Sequence, residues 1–422
     1  MKLRSLGALA VVAAVALSAC NQPGASGGTG GAAYQLAIDM PQQGSELAGS
    51  EPVINGAKLA LKQAGGKAGS YTITLPDANI LDDAVSGVHD PTQGAQNAQT
   101  IIANTKVLGM MGPLNSNVAK AQIPLTNAAG LSQCSPANTN EGLTKPEFGA
   151  LEVRKDKPND INYVRVATTD DLQGPANAKY LGEDLGVKNL YIIDDTETFG
   201  AGIAKQVEKY WKETLKLTVV GHDSAPKTTT DYSSIMTAAA AKKPDGIYFG
   251  GVTASGGARI LKAAVQAGLG NIPYMGPDGI NDGTGETKDS FLNLGAADAK
   301  NSYSTLAGKA SFPGGDKFNA EYKAEYGKDA TGYAIQGYVC FQVLLDAVAR
   351  ASATNPSGDA AVREAVRKAL SDPAAKYQTA MGEILFDKNG DTSQKTVSVY
   401  KVDPAGANGK GAWVPAKEIT FE

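Results

Sequence analysis

An acid at the end of an apolar run is the first feature of this sequence with chemical promise. Tyr274-Met275-Gly276-Pro277-Asp278-Gly279 reads as a short strand that stops in Gly-Pro-Asp-Gly. Pro-Asp-Gly is ordinary turn chemistry. In open α/β sheets, however, ligands gather beyond the carboxyl ends of strands, where an Asp278 carboxylate can meet a cationic group. A second feature is Gly251-Val252-Thr253-Ala254-Ser255-Gly256-Gly257, with the glycine spacing of a phosphate loop. It lacks the lysine that must follow, so nucleotide hydrolysis is not expected. It does lie between a strand and a helix, whose free N–H groups suit a ligand contact.

Other catalytic groups are scarce. His89 and His222 are far apart and have no cysteine or acid at ligand spacing, so neither a histidine metal site nor a histidine triad is expected. Glu183-Asp184 are sequence neighbours on a helix and do not face each other, which reads as a solvated face. In Asp387-Lys388-Asn389-Gly390-Asp391 the glycine is misplaced for a calcium loop and no glutamate closes it, so a hairpin turn is expected. No enzymatic activity, cofactor or metal is expected.

The elements that must position Asp278 and the glycine loop alternate along the chain. Strands are expected at 34–40, 71–75, 107–111, 131–134 and 162–166, with helices at 92–105 and 117–129. Ser50-Glu51-Pro52 marks the start of a further helix carrying Ile54, Ala57, Leu61 and Ala64 on one face. The series then restarts, with helices at 174–185, 202–215, 232–241 and 257–267 and strands at 189–193, 217–220, 246–249 and 272–275. This is the βαβα pattern of a parallel sheet with helices on both faces, present twice. The tail breaks the rhythm: an extended 301–306 stretch, helices at 318–326, 332–351 and 360–370, then strands at 382–386 and 397–402. The fold class is therefore α/β, two doubly wound parallel-sheet lobes.

The 422 residues, 42% hydrophobic and 19% charged, have the composition and length for two domains. The net charge of -4 and the lack of any basic stripe disfavour nucleic-acid binding. Lys2 and Arg4 precede the apolar run 6–17, which is short for a membrane span and right for a signal sequence. It ends in Leu17-Ser18-Ala19-Cys20, which resembles the lipobox of bacterial lipoproteins. That likeness implies removal of residues 1–19 and acylation of Cys20. The Gly-rich segment 20–33 cannot bury a core and reads as a flexible tether between a lipid anchor and a soluble body. Cys134 and Cys340 both lie in apolar runs; a disulfide and two buried thiols are equally compatible with the sequence.

Several short motifs, in order, give a resemblance. They are Asn55-Gly56-Ala57, Gly112-Pro113-Leu114-Asn115-Ser116 and Ser135-Pro136-Ala137-Asn138-Thr139-Asn140 in the first half. Gln173-Gly174-Pro175, Phe199-Gly200, Tyr248-Phe249-Gly250-Gly251 and Met275-Gly276-Pro277-Asp278-Gly279 follow. The chain resembles the branched-chain amino acid binding proteins of ABC importers, with the type I periplasmic-binding fold, from Tyr34 to the last strand. The resemblance implies that Leu114, Asn115, Ser116, Asn138 and Thr139 hold a ligand α-carboxylate through hydroxyls and backbone N–H groups. It implies that Asp278 pairs with the α-ammonium, through a side chain one methylene shorter than the glutamate often found there. Phe199 and Tyr333 match aromatic cleft positions. Val252 and Thr253 stand where the family often has an aromatic that packs on the ligand, a smaller wall that admits a larger or more polar ligand. A zwitterion needs both sets of partners, because an unpaired buried charge is costly.

On the family topology, lobe 1 is 34–163 plus 305–381 and lobe 2 is 164–304 plus 382–422, joined by three hinge crossovers. The expected function is that of an extracytoplasmic, lipid-anchored, monomeric receptor delivering an amino acid to an ABC permease. Rival readings are a sensory protein of the same fold and a receptor for amides or another small polar solute. A sugar receptor is disfavoured, because Trp211 and Trp413 do not fall at strand ends.

Overall fold

The structure, a computed structural model, describes residues 32–422. The expected signal sequence, the acylated Cys20 and nearly all of the tether lie outside the described residues. Among the described residues no helix is long and apolar enough to cross a membrane.

Two sheets organise the chain. In the first the order is Lys67–Ala68, Tyr71–Thr74, Ala33–Asp39, Val107–Met111, Ser132–Ser135 and Tyr163–Arg165, with Ile80–Leu81 also beside the Ala33–Asp39 strand. All its pairings are parallel except that of Lys67–Ala68 with Tyr71–Thr74. In the second the order is Thr218–Ser224, Asn189–Asp194, Gly246–Gly250, Tyr274–Met275, Ser302–Leu306, Thr396–Asp403 and Ala412–Thr420. Its first five strands are parallel and its last two antiparallel. Each sheet reverses strand order beside its first strand in sequence. Helices leaving on either side of that strand diverge to opposite faces and open a crevice at the carboxyl ends. Strand residues such as Val107–Met111 and Gly246–Gly250 are buried throughout, as expected of strands covered on both faces.

Several helices start one turn ahead of their expected positions. The first helix spans Glu46–Gln63, and Pro52 lies inside it. The next two shifted helices span Asp170–Lys179, with Pro175 inside, and Thr198–Glu213. Glu46, Ala48 and Ser50 are buried against the body of the protein. That burial draws the extra turn into the helix and overrides the local start signal at Ser50-Glu51-Pro52. The 387–391 turn closes a short hairpin, with Phe386 bridged antiparallel to Thr392 and Asp387 N–H donating to Asp391 O at 2.9 Å. The longer strands on either side do not pair with each other: Gly382–Ile384 pairs with Tyr377–Thr379, and Thr396–Asp403 pairs with strands 302–306 and 412–420. The turn also packs on Tyr163–Arg165, where Gly390 O accepts from Arg165 N–H at 3.1 Å and Asp391 Oδ1 accepts from Arg165 Nε at 2.7 Å.

The long Ala334–Ala353 helix is the spine of the first core, packed on the Glu46–Gln63 helix. Two glycines set that contact. A Cβ on Gly56 would strike the backbone of Ala334 and Tyr338, and one on Gly337 would strike the backbone of Val53. Cys134 and Cys340 are joined as a disulfide within this core, so of the two arrangements the sequence left open the structure has the bridge.

Candidate ligand-binding cleft

The crevices of the two sheets face a single cleft with a water-accessible volume of about 60 Å3. Most of its wall comes from strand exits. Ser45, Glu46 and Gly49 follow the Ala33–Asp39 strand, and Leu114, Asn115 and Ser116 follow Val107–Met111. Phe199 follows Asn189–Asp194, Val252, Thr253 and Ala254 follow Gly246–Gly250, and Asp278, Gly279, Asn281 and Asp282 follow Tyr274–Met275. Ala137, Gly332 and Tyr333 complete the wall.

Eight of the ten residues singled out from sequence therefore meet there: Leu114, Asn115, Ser116, Phe199, Val252, Thr253, Asp278 and Tyr333. Asn138 and Thr139 do not line the cleft and are fully buried beside it. The Asn138 amide donates to Leu114 O at 2.7 Å and accepts from the Tyr163 hydroxyl at 2.9 Å. Thr139 O accepts from Asp170 N–H at 2.9 Å. Both thus shape the wall. Arg165 fixes the same loop, donating to the carbonyls of Asn138 and Asn140 and to the Thr144 hydroxyl while paired with Asp391.

Asp278 is buried, and burial pushes its carboxyl up to about 6; the Gln173 and Tyr333 side chains act against the rise. The Tyr333 hydroxyl donates to Oδ2 at 2.9 Å. Oδ1 has no hydrogen-bond partner among the described residues, although a buried polar oxygen is almost always satisfied. Gln173 ties the strand exit in place: its Oε1 accepts from the Thr305 hydroxyl at 2.9 Å and lies 3.4 Å from Asp278 N. Across the cleft, the Ser116–Ala129 helix starts at a cleft residue, and its N-cap Asn115 makes no side-chain capping bond. First-turn N–H groups left without such a cap suit an anion. The glycine-rich 251–257 turn is held by its own polar contacts, Ser255 Oγ to Asp195 Oδ2 at 2.6 Å and Val252 N to Ser255 Oγ at 3.0 Å. It presents Val252 and Thr253 as wall and not as a phosphate cradle.

An acid thus lies on one wall of the cleft and a helix N-terminus on the other. A model of the periplasmic binding protein family matches residues 38–410. The chain belongs to this family. Its members work outside the cytoplasm, so the location is extracytoplasmic. The chain is 25% identical over 369 residues to the Leu/Ile/Val-binding protein BraC3 of Rhizobium johnstonii, covering 87% of this chain and 90% of that one. The leucine binding protein LivK of Thermotoga maritima superposes with a TM-score of 0.76 at 25% identity, over 92% of this chain and 99% of the other. A solute binding protein of an ABC transporter from R. palustris, solved with benzoate, superposes at 0.73 with 18% identity, over 92% and 98%. The fold is thus type I periplasmic-binding, and its relatives are solute-binding receptors of ABC transporters.

Sequence reasoning missed Glu46, Asn281 and Asp282. The start signal at Ser50 leaves Glu46 in a loop. Asn281 and Asp282 follow Pro-Asp-Gly so closely that they read as the rest of a turn. The usable signal is the repetition of acids at strand exits.

Proposed function

We propose that this protein is a receptor that captures an amino acid in the cleft and hands it to an ABC permease. The single observation behind the reading is the lone Asp278 Oδ1, facing the cleft opposite the Ser116 helix start. An α-ammonium would pair with Asp278 and an α-carboxylate with the Ser116 hydroxyl and the N–H groups of that helix turn. Leu114, Asn115, Phe199, Val252 and Thr253 would close around the rest of the ligand, with Asn138 and Thr139 holding the carboxylate wall from behind. The relatives' names, Leu/Ile/Val-binding and leucine binding, favour an amino acid over a sugar. Because the acid and the helix start come from different sheets, only apposition of the two lobes satisfies both ligand charges. That is the differential affinity ligand-driven closure requires. The hinge crossovers fall near residues 164, 304 and 382. The protein acts as a monomer without catalytic activity, held to the membrane by acylated Cys20.

Calorimetric titration with amino acids, amides and sugars tests the reading. Saturable binding of at least one α-amino acid is expected; a sugar response with no amino acid response refutes it.

A further inference from the structure

Asp278 accounts for one cation, yet three carboxylates line the cleft: Asp278, Asp282 and Glu46, with no lysine, arginine or histidine among the described lining residues. Resting on the receptor reading above, we infer that the ligand carries a second cation: it is an α-amino acid with a basic side chain, whose charged end sits between Asp282 and Glu46.

Three observations carry this. First, Asp282 is 8% exposed and half satisfied: Oδ1 accepts from Phe291 N–H at 2.9 Å, and Oδ2 has no partner among the described residues. Second, Asp282 faces the first turn of the Glu46–Gln63 helix. A Cβ on Gly49 would lie 3.6 Å from that of Asp282, and Glu46 stands one turn back with Oε1 on His89 Nδ1 at 2.6 Å. The acids thus converge from both lobes. Third, the unmet hydrogen-bonding groups of the wall are mostly acceptors. Asp278 Oδ1, Asp282 Oδ2 and Asn115 Oδ1 lack partners, against two donors, Asn281 Nδ2 and the Thr253 hydroxyl, the latter beside the Asp282 carboxylate; two donors are too few to meet all three acceptors.

A leucine-like side chain cannot donate a hydrogen bond. It would seal Asp282 Oδ2 in a dry site with its desolvation uncompensated. An ammonium or guanidinium supplies both charge and donors, and a charge-assisted bond to a buried carboxylate is among the stronger contacts available. Val252 and Thr253, in place of a large aromatic, leave room for such a chain. The competing state is a proton on Asp282, whose carboxyl burial raises to about 7. A neutral acid there would tolerate an aliphatic ligand, so the two states predict opposite selectivity.

Titration calorimetry of the full chain with L-lysine, L-ornithine, L-arginine and L-leucine separates them. At least one cationic amino acid is expected to bind tenfold or more tightly than leucine, and Asp282→Asn to shrink that preference at least tenfold. Glu46→Gln, with the same readout, replaces it if the thermal unfolding of Asp282→Asn shows loss of folding. Leucine binding more tightly than all three cationic amino acids overturns the inference. If Asp278→Asn still weakens leucine in that case, the amino acid receptor reading stands. Binding of no amino acid by the wild-type chain overturns both.

Discussion

Asp278→Asn removes one charge and almost no volume, and so isolates the role of the acid. In the structure the carboxylate has Tyr333 on Oδ2 and nothing among the described residues on Oδ1. A ligand ammonium occupying that side is desolvated and depends on Asp278 for its counter-charge. Removing one partner of a buried pair costs about 3–5 kcal/mol, equivalent to roughly two to three and a half orders of magnitude in Kd. A pH signature accompanies it. With the Asp278 carboxyl at about 6, the ionised fraction is about 0.9 at pH 7 and about 0.09 at pH 5, since each unit below the pKa is a factor of ten. A zwitterionic ligand with an aliphatic side chain should therefore bind about tenfold more weakly at pH 5 than at pH 7. The sign follows from protonation cancelling the counter-charge. Asp170, Tyr248 and Tyr333 are titratable groups that feel the Asp278 charge. Asp170 is itself pushed well above the usual carboxylate range by burial, with the Glu141 and Asp278 charges adding to the rise. For a dicationic ligand, Asp282 titrating near 7 steepens the slope. Calorimetry from pH 5 to 8 on wild type and Asp278→Asn measures both effects. Affinity within threefold of wild type in the variant, or a wild-type affinity that rises on acidification, refutes the counter-ion role.

Three further outcomes are expected. Gly337→Ala places a methyl group against the Val53 backbone; overpacking of this kind costs about 1–3 kcal/mol, and an unchanged urea midpoint would refute the helix contact. Loss of the Cys134–Cys340 bridge, which spans 206 residues, should cost about 2–5 kcal/mol. Cys134→Ser/Cys340→Ser should nevertheless keep its ligand affinity, because neither cysteine lines the cleft; a large loss of affinity counts against that separation. The ligand-free protein should be more stable at pH 5.5 than at pH 8. Burial raises Asp39 and Asp282 to about 7 and Asp195 and Asp278 to about 6. Carboxyls raised in the folded state bind protons more tightly there than in the unfolded chain, so stability falls as pH climbs from about 4 through 7. His222, raised by its hydrogen bond to Asp194, adds in the same direction, while the lowered Asp194 and Glu208 oppose it only toward pH 4. A rise in Tm of at least about 2–4 °C on acidification is the scale to look for; a fall would contradict the burial of these acids.

The alternation of apolar runs made the two-sheet architecture legible, because period and punctuation report burial directly. Strand ends were legible too, and since ligands collect there, so was most of the cleft wall. The losses have local causes. Helix starts at 46, 170 and 198 lie one turn ahead of the Pro and Gly signals. Tertiary burial of residues such as Glu46 and Ala48 decides those turns, and no local propensity carries it. The Asn138 and Thr139 side chains resemble ligand groups because amides and hydroxyls serve ligands and neighbouring main chain equally well. Only the positions of Leu114 O and Tyr163 show where the Asn138 bonds go. The disulfide was undecidable from two cysteines in apolar runs 206 positions apart.

The acids in the cleft also bear on how closure is balanced. Hydrogen bonds that need no ligand already cross between the lobes. Asn140 Nδ2 donates to Thr198 O at 3.0 Å, Gln206 Nε2 to Glu141 Oε1 at 2.5 Å, and Lys227 Nζ to His89 O at 3.0 Å; Asn117 reaches Glu197. Each is worth about 0.5–1.5 kcal/mol net, more where a charge takes part, so together they favour apposition by a few kcal/mol. Left unopposed, that bias would close the receptor without cargo. Asp278 and Asp282 oppose it, because closure strips water from two carboxylates whose free oxygens find no partner among the described residues. Desolvating such groups costs energy comparable to what the cross-lobe hydrogen bonds contribute. A cationic ligand cancels that penalty and leaves those bonds in force. If Asp278 and Asp282 bind the ligand as proposed, they are also the groups that hold the unliganded lobes apart, so neutralising them should weaken binding and populate a closed, unliganded form.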